Sequence, residues 1–558
     1  MKVSERNRYD IHSPDFDNVK IRIRKDEFIM SKKVLCTLLV AAMAASVFAS
    51  CGSSGGSSSK PDSSSKTDTS ASESGSSEAS SEESSSAAYV PNFDEAPYTV
   101  HFQYCVAAEG SGQTGVNEAV DELAMKELNM HVEMIPLTMG AWATTMSMTL
   151  AANEPLDLFL AGSGSFGTYI DSQYIRDWTP YMDYLPDVIE GMGEDINAGY
   201  VGDFLVGFSQ MKERGYQTGL VARKDIMDEL GISVDDFSMT SKDTSTYSQL
   251  DDLFAKVKEA HPDMIAVGGT TGLPSTMGNF ADNLGNNFGM LPDYGQSTTI
   301  TNIYESELYH DFCAIARRWF LAGYESADAA TNQDSGETLM KAGNLFSYIT
   351  AVKPNTNVEK LAQTGYEVNV IPMAENTFTS SMSVNAIVYC MANASEDPVK
   401  AAAFYNWCYA SREFEDLINW GVKGVDWVED ENGLATYPDG IDATSSGYHN
   451  DFGWAYPNQF AGHPWSGNDP DIWNIYEEYN ASLLRSKAFG FTFNPLPVTD
   501  EVAQCTSVYD QYDNDLNFGA IDTDAGIQQL NDALYANGLQ AIMDEKQSQL
   551  DAWLADQN

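Results

Sequence analysis

The chain has 558 residues, is 43% hydrophobic and carries a formal net charge of −50, from 31 Lys and Arg against 81 Asp and Glu. At roughly 100–200 residues per domain, that is chain enough for two or three domains with a large buried core. A body this acidic repels nucleic acid and anionic headgroups, so neither is expected as a partner. Seven cysteines stand at Cys36, Cys51, Cys105, Cys313, Cys390, Cys408 and Cys505, with no CxxC and no Cys/His cluster. That spacing signals neither a disulfide framework nor a metal site, and no cofactor is expected; the later thiols read as small buried hydrophobes.

Residues 1–29 are charged and mixed, and read as an upstream extension or an unusually long leader, with Met30 as the expected start. Two lysines then precede the 15-residue apolar run Val34 to Phe48, followed by Cys51 and a serine-rich stretch. The run is short of the roughly 20 residues that span a bilayer. Basic residues in front and small residues behind make 30–50 an export signal. Its end, Phe48-Ala49-Ser50-Cys51-Gly52, resembles a bacterial lipobox, although leucine is usual where Phe48 stands. The resemblance implies a lipoprotein whose Cys51 is acylated, with palmitate-like chains anchoring it to the extracytoplasmic face of the cell membrane. Residues 51–90 are Ser/Gly/Glu-rich with nothing to bury, hence a disordered tether, with an end-to-end distance on the order of 35 Å.

From about Pro91 the composition turns ordinary. YTVHFQYCV (98–106) reads as a strand, VNEAVDELAMKELN (116–129) as a helix and HVEMIPL (131–137) as a second strand. AWATTMSMTLAANEP (141–155) follows as a helix and LDLFLAG (156–162) as a fully apolar strand of a buried parallel sheet. The alternation is that of an open α/β sheet, which places ligands beyond the carboxyl ends of its strands.

LAGSGSFG (160–167), YIRDWTPYMDYL (174–185) and TGLVARKDIMDELGIS (218–233) occur in the order seen in extracellular solute-binding proteins of ABC importers. MKAGNLFSYI (340–349), VNVIPMAE and SVNAIVYCMANASEDPVKAAAFYNWCYAS (383–411) continue that resemblance. WGVKGVDWVEDENGLATYPDG (420–440), with Asn432-Gly433 as a hairpin turn, and the segments 489–524 and 534–557 resemble the LipO-type lipoproteins. Those are carbohydrate-class binding components with a carboxyl-terminal domain of unknown function, here about 480–558. The resemblance implies an α/β, two-lobed periplasmic-binding-protein-like (type II) fold with hinge crossovers. Lobe one would be 95–210 with 366–412, and lobe two 213–365 with 413–558. It further implies a monomer that captures a sugar, expected to be an oligosaccharide, between the lobes and delivers it to the transmembrane subunits of a permease without altering it. A peptide-binding member of the same fold, or a surface-tethered glycoside hydrolase, are the competing readings.

No P-loop, dinucleotide fingerprint, HExxH or GxSxG occurs, so no catalytic residues are nominated. Aromatic residues are the better clue, since a sugar presents an apolar C–H face and a polar rim. Trp407, Trp420, Trp427, Trp454, Trp465 and Trp473 crowd into the carboxyl half, and 448–473 mixes them with Gly, Pro, Asn and Asp. Trp407 and Trp420 sit in helical patterns and are expected in the core, and His463 beside Pro464 in a loop. The expected ligand contacts are Trp427, Trp454 and Trp465 in that loop-rich stretch, and Tyr104, Trp142, Ser163, Ser165 and Phe166 at strand ends of the first lobe. Phe208, Gln210 and Tyr216 join them near the first crossover.

Overall fold

The computed structural model describes residues 89–108 and 110–557. The upstream extension, the export signal, the lipobox with Cys51 and nearly all of the tether lie outside the described residues. Strand β1 (Tyr98–Val106) leads through α1 (Gln113–Leu128) to β2 (Met130–Thr138), α2 (Met139–Ala152), β3 (Leu158–Gly162) and β4 (Ile175–Arg176). Helices α1 and α2 both stop at an asparagine in the left-handed region, Asn129 (φ 55°) and Asn153 (φ 51°). Asparagine tolerates that conformation better than most residues, which is why these helices end where they do. The chain then enters β5 (Gln217–Arg223) and α3 (Lys224–Leu230), followed by β6 (Ile265–Val267), α4 (Glu307–Ala322), β7 (Leu345–Val352), α5 (Thr356–Thr364) and β8 (Val368–Pro372). Next come β9 (Phe378–Thr379), β10 (Ile387–Ala392), α6 (Pro398–Ala410) and α7 (Arg412–Trp420). Asp397 caps α6 by accepting from the Lys400 N–H, with Pro398 at its first turn, where no amide hydrogen is needed. A short hairpin, β11 (Val428–Glu429) with β12 (Ala435–Thr436), precedes α8 (Ile472–Ser482) and β13 (Leu484–Arg485). Helices α9 (Thr499–Asn517), α10 (Thr523–Ala536) and α11 (Leu539–Asp556) end the chain.

Two sheets organise these elements. The first has the order β2-β1-β3-β10-β4, with β1 parallel to β2 and β3 and with β10 antiparallel to β3. The second has the order β8-β5-β7-β6. Each is covered on both faces by apolar side chains, so its central strands are buried almost throughout. The largest cluster lies under the second sheet and takes in α9, α10 and α11 through Cys505, Leu516, Leu530, Leu534, Ile542 and Leu550. There the Lys546 ammonium, wholly buried, donates to the carbonyls of Asn283, Asn286 and Gly289 and to Asn286 Oδ1, at 2.8–3.1 Å.

The chain passes between the sheets three times: ahead of β5, between β8 and β10, and along α8 to β13, which pairs with β9. Two boundaries differ from those expected. Lobe one is expected to include 366–412, but β8 pairs antiparallel with β5 and belongs to the second sheet. Lobe two is expected to include 413–558, yet Phe414, Ile418, Tyr448, Ala455 and Tyr456 pack in the first core. The reason is the apolar face of α7: the Phe414 ring sits 5.9 Å from Phe102 of β1 and 6.2 Å from Phe404 of α6. The first crossover is polar as well as buried. Ser209, Gln210, Lys212, Glu213 and Arg214 are each under 7% exposed, Arg214 pairs with Asp195 at 2.9 Å, and Asn480 of α8 bonds the backbone on both sides. Cys105, Cys313, Cys390, Cys408 and Cys505 are free and buried, and among the described residues no helix is long and apolar enough to cross a membrane.

Candidate functional site

A cavity of ≈ 340 Å³ opens where α5 of the second lobe faces α7, α8 and the loop 451–468 of the first. From the second lobe come Lys353, just past β7, and Val358, Glu359, Ala362 and Gln363, spaced so that they share one face of α5. From the other side come Asn419 and Trp420 at the end of α7, the loop residues Asp451, Trp454, Gln459, His463 and Trp465, and Trp473 and Tyr476 of α8.

Four tryptophans thus line one chamber. The Trp420 Nε1–H donates to the His463 carbonyl (2.9 Å) and that of Trp473 to the Gly462 carbonyl (2.7 Å), which fixes both rings. Trp465 lies 4.9 Å from Trp420, 4.4 Å from His449 and 4.8 Å from Tyr437, centroid to centroid. Trp454 touches Phe452 at 5.4 Å, and Trp473 stacks on Phe460 at 5.5 Å.

The polar groups are unequal in what they have left to offer. Lys353 Nζ is bound by Glu213 (2.7 Å) and Glu359 (2.9 Å) and sits 5.1 Å from the centre of the Tyr476 ring. Burial opposes its charge, but the two carboxylates outweigh burial and hold its pKa well above the ordinary lysine value. Burial likewise opposes ionisation of Glu213, and Lys353 with Lys212 pulls its pKa below normal. His463 Nδ1 is paired with Asp416 Oδ2 at 2.7 Å. Gln459 Oε1 is buried with no partner, and the Asp451 carboxylate has no hydrogen bond or ion pair among the described residues. Asp451 is exposed to solvent at the chamber wall, yet the protein around it partly desolvates its carboxyl and, with Glu359, lifts its pKa to about 6 against the opposing pull of Lys353. Its backbone is left-handed (φ 53°), a conformation that asparagine and aspartate accept more readily than other L residues.

Of the residues singled out in the sequence, Trp454 and Trp465 line this cavity. Five others are corrected by burial. Tyr104 is fully buried, packed between Phe102 and Tyr456, and its hydroxyl accepts from Gln113. Phe166 is 2% exposed inside the cluster that includes Tyr169, and Phe208 is fully buried against Trp178 and Tyr405. Trp427 lies beneath the site, its N–H held by the Gly421 carbonyl and its ring against His463. Gln210 is fully buried in the crossover, and neither end of its amide finds a partner among the described residues. Trp142, Ser163 and Ser165 are half-buried at the carboxyl edge of the first sheet, where the Trp142 N–H donates to the Leu160 carbonyl, and Tyr216 is half-buried with its hydroxyl between Lys212 and Glu213. None of these four lines the chamber.

Sequence reasoning missed Lys353, Glu359, Asp451, Gln459, Trp473 and, expected in the core, Trp420. The loop residues lay in the stretch already marked by its tryptophans; Lys353 and Glu359 sit on an ordinary-looking helix and strand end that carry no local signal.

These two sheets, triply connected around an aromatic chamber, have clear counterparts. A crystal structure of the N-glycan transport solute binding protein NgtS from Streptococcus pneumoniae superposes with a TM-score of 0.72, at 18% identity, over 83% of this chain and 100% of that one. The fold is that of the type II solute-binding proteins. Within that fold, the same S. pneumoniae protein in complex with Man5GlcNAc gives a TM-score of 0.62 at 17% identity, over 83% of this chain and 99% of that one. A carbohydrate ABC transporter substrate-binding protein of S. pneumoniae serotype 4 is 23% identical over 322 residues, covering 56% of this chain and 63% of that protein, so the match spans under two thirds of the relative. The carboxyl-terminal module of this solute-binding fold, residues 487–555, matches a domain of unknown function (DUF3502).

Proposed function

We propose that this protein is the substrate-binding component of a carbohydrate ABC importer, taking an oligosaccharide into the chamber between its lobes. The observation that carries the reading is the chamber's chemistry. Four tryptophans offer flat apolar surfaces, while the exposed Asp451 carboxylate offers acceptor oxygens that take no hydrogen bond among the described residues. Sugar hydroxyls are donors set around an apolar C–H face, a match for a carboxylate acceptor beside flat rings. The relatives named for carbohydrate transport support the same choice over a peptide.

In this reading the ligand touches α5 from one lobe and the tryptophan loop from the other, so it favours the state in which both lobes reach it. A permease outside this chain recognises that state, and the sugar leaves unchanged; the protein is a monomeric carrier rather than an enzyme. Cys51 carries the acyl chains, and the serine-rich tether lets the body stand away from the extracytoplasmic membrane face.

Titration calorimetry with neutral high-mannose oligosaccharides, with mass spectrometry of the recovered glycan, tests the proposal. Saturable binding with the glycan intact is the expected result. Binding confined to peptides, or a cleaved glycan, overturns it. For the anchor, Cys51→Ser is expected to move the protein from the membrane fraction to the soluble one, and an unchanged distribution refutes acylation there.

A further inference from the structure

We infer that Asp451, backed by Glu359, makes this chamber select against acidic glycans, so that its ligands are neutral and sialylated or uronate-bearing chains are rejected. The inference rests on the glycan reading above and deepens it.

Among the described residues, Lys353 is the one permanently cationic side chain lining the chamber, and it is already engaged. Glu213 and Glu359 each take a short ion pair from its ammonium, and the remaining direction lies toward the Tyr476 ring. An incoming sugar carboxylate therefore finds no unspent cation. The other groups around Asp451 do not help it. His449, two residues away, is held neutral by burial, with its pKa pushed down to about 4. Tyr437 beside it is a neutral phenol whose pKa is raised by burial and then by Asp451. His463 is already committed to Asp416.

Against this, two carboxylates face the space from opposite sides: Glu359 on α5 and Asp451 on the loop. Asp451 is held in a left-handed backbone, and its carboxylate takes no hydrogen bond or ion pair among the described residues. It accepts hydrogen bonds from hydroxyls and repels a carboxylate. Discrimination by a repulsive group held at the site is a general route to specificity, and like charges brought together across a contact are strongly disfavoured.

The test compares one N-glycan in two forms, identical except for terminal sialic acid, by calorimetry on the wild type and on Asp451→Asn. Asparagine keeps the backbone conformation and removes the charge. At about pH 7.5 the wild type is expected to bind the asialo form at least about tenfold more tightly than the sialylated form, with the ratio shrinking several-fold in the variant. Because Asp451 takes up its proton near pH 6, the wild-type ratio is expected to fall toward the variant's as the pH drops to about 5, where sialic acid stays ionised, while the variant's ratio stays flat. Equal binding of both forms by the wild type, or a preference for the sialylated one, overturns this inference and leaves the glycan reading standing. An unchanged ratio in Asp451→Asn overturns the assignment to Asp451. Failure of every neutral glycan to bind overturns the glycan reading and this inference with it.

Discussion

Replacing Lys353 by methionine tests whether the chamber wall and the crossover are one electrostatic unit. The ammonium is 2.7 Å from a Glu213 carboxylate that is 2% exposed and whose other oxygen has no partner among the described residues. At that separation the Coulomb attraction is about 6 kcal/mol for an effective dielectric of about 20, part of which is spent on desolvating the pair. Methionine keeps the bulk but leaves Glu213 buried with the Tyr216 hydroxyl as donor and Lys212 as the nearby cation, an arrangement that costs about 3–5 kcal/mol. In the wild type, Glu213 has a depressed pKa, so its stabilising contribution is present above the unfolded carboxyl value of about 4.3 and is lost as pH falls through the lower folded value. In Lys353→Met the folded pKa rises above 4.3 instead. The deficit is then largest at neutral pH and shrinks as the carboxyl takes up a proton on acidification. Urea unfolding followed by tryptophan fluorescence, at about pH 7.5 and about pH 5, reads both the deficit and its trend. Adding Glu213→Gln should recover most of the loss, giving a coupling of about 2–4 kcal/mol in the double-mutant cycle. A deficit under about 0.5 kcal/mol, a deficit that ignores pH, or no recovery in the double variant refutes the reasoning.

Two further outcomes follow from the packing. Trp454 is half-buried and, among the described residues, packs against one ring, that of Phe452, so Trp454→Ala should weaken glycan binding about tenfold while shifting the unfolding midpoint little; calorimetry and thermal melts check the pair. Lys546→Met removes the donor shared by four oxygens in the second core and leaves two of them, the Asn286 and Gly289 carbonyls, with no other hydrogen bond among the described residues; it should cost about 3–5 kcal/mol in urea unfolding, with faster amide exchange over residues 283–289 as its local signature.

The first lobe was legible because its strands and helices announce themselves by period: β1 spans Tyr98–Val106 as read, and Asp397-Pro398 opens α6. The hairpin turn was legible too, with Gly433 at φ 80° between β11 and β12. Affiliation was harder to read than secondary structure. Helix α7 is nine residues long, and only its docking onto Phe102 and Phe404 assigns it to the first core. Strand β8 looks like any apolar strand until its pairing with β5 is seen. At the site, the rule that ligands meet strand ends places a Cα but not a side chain. Successive side chains point to opposite faces, and Tyr104 points into the core. Lys353 and Glu359 matter only because the chain brings them opposite the tryptophan loop, a fact of tertiary contact with no trace in local spacing.

The buried polar crossover bears on the thermodynamics of lobe movement. Its cohesion comes from Arg214, Glu213 and Asn480 rather than from apolar packing. Swinging the lobes about such a segment trades hydrogen bonds for water with little change in exposed hydrocarbon, and hydrocarbon exposure is what dominates the heat capacity of protein transitions. The heat-capacity signature of binding should therefore be set by the tryptophan chamber alone, and the joint itself should turn with nearly equal ease in warm and cold surroundings.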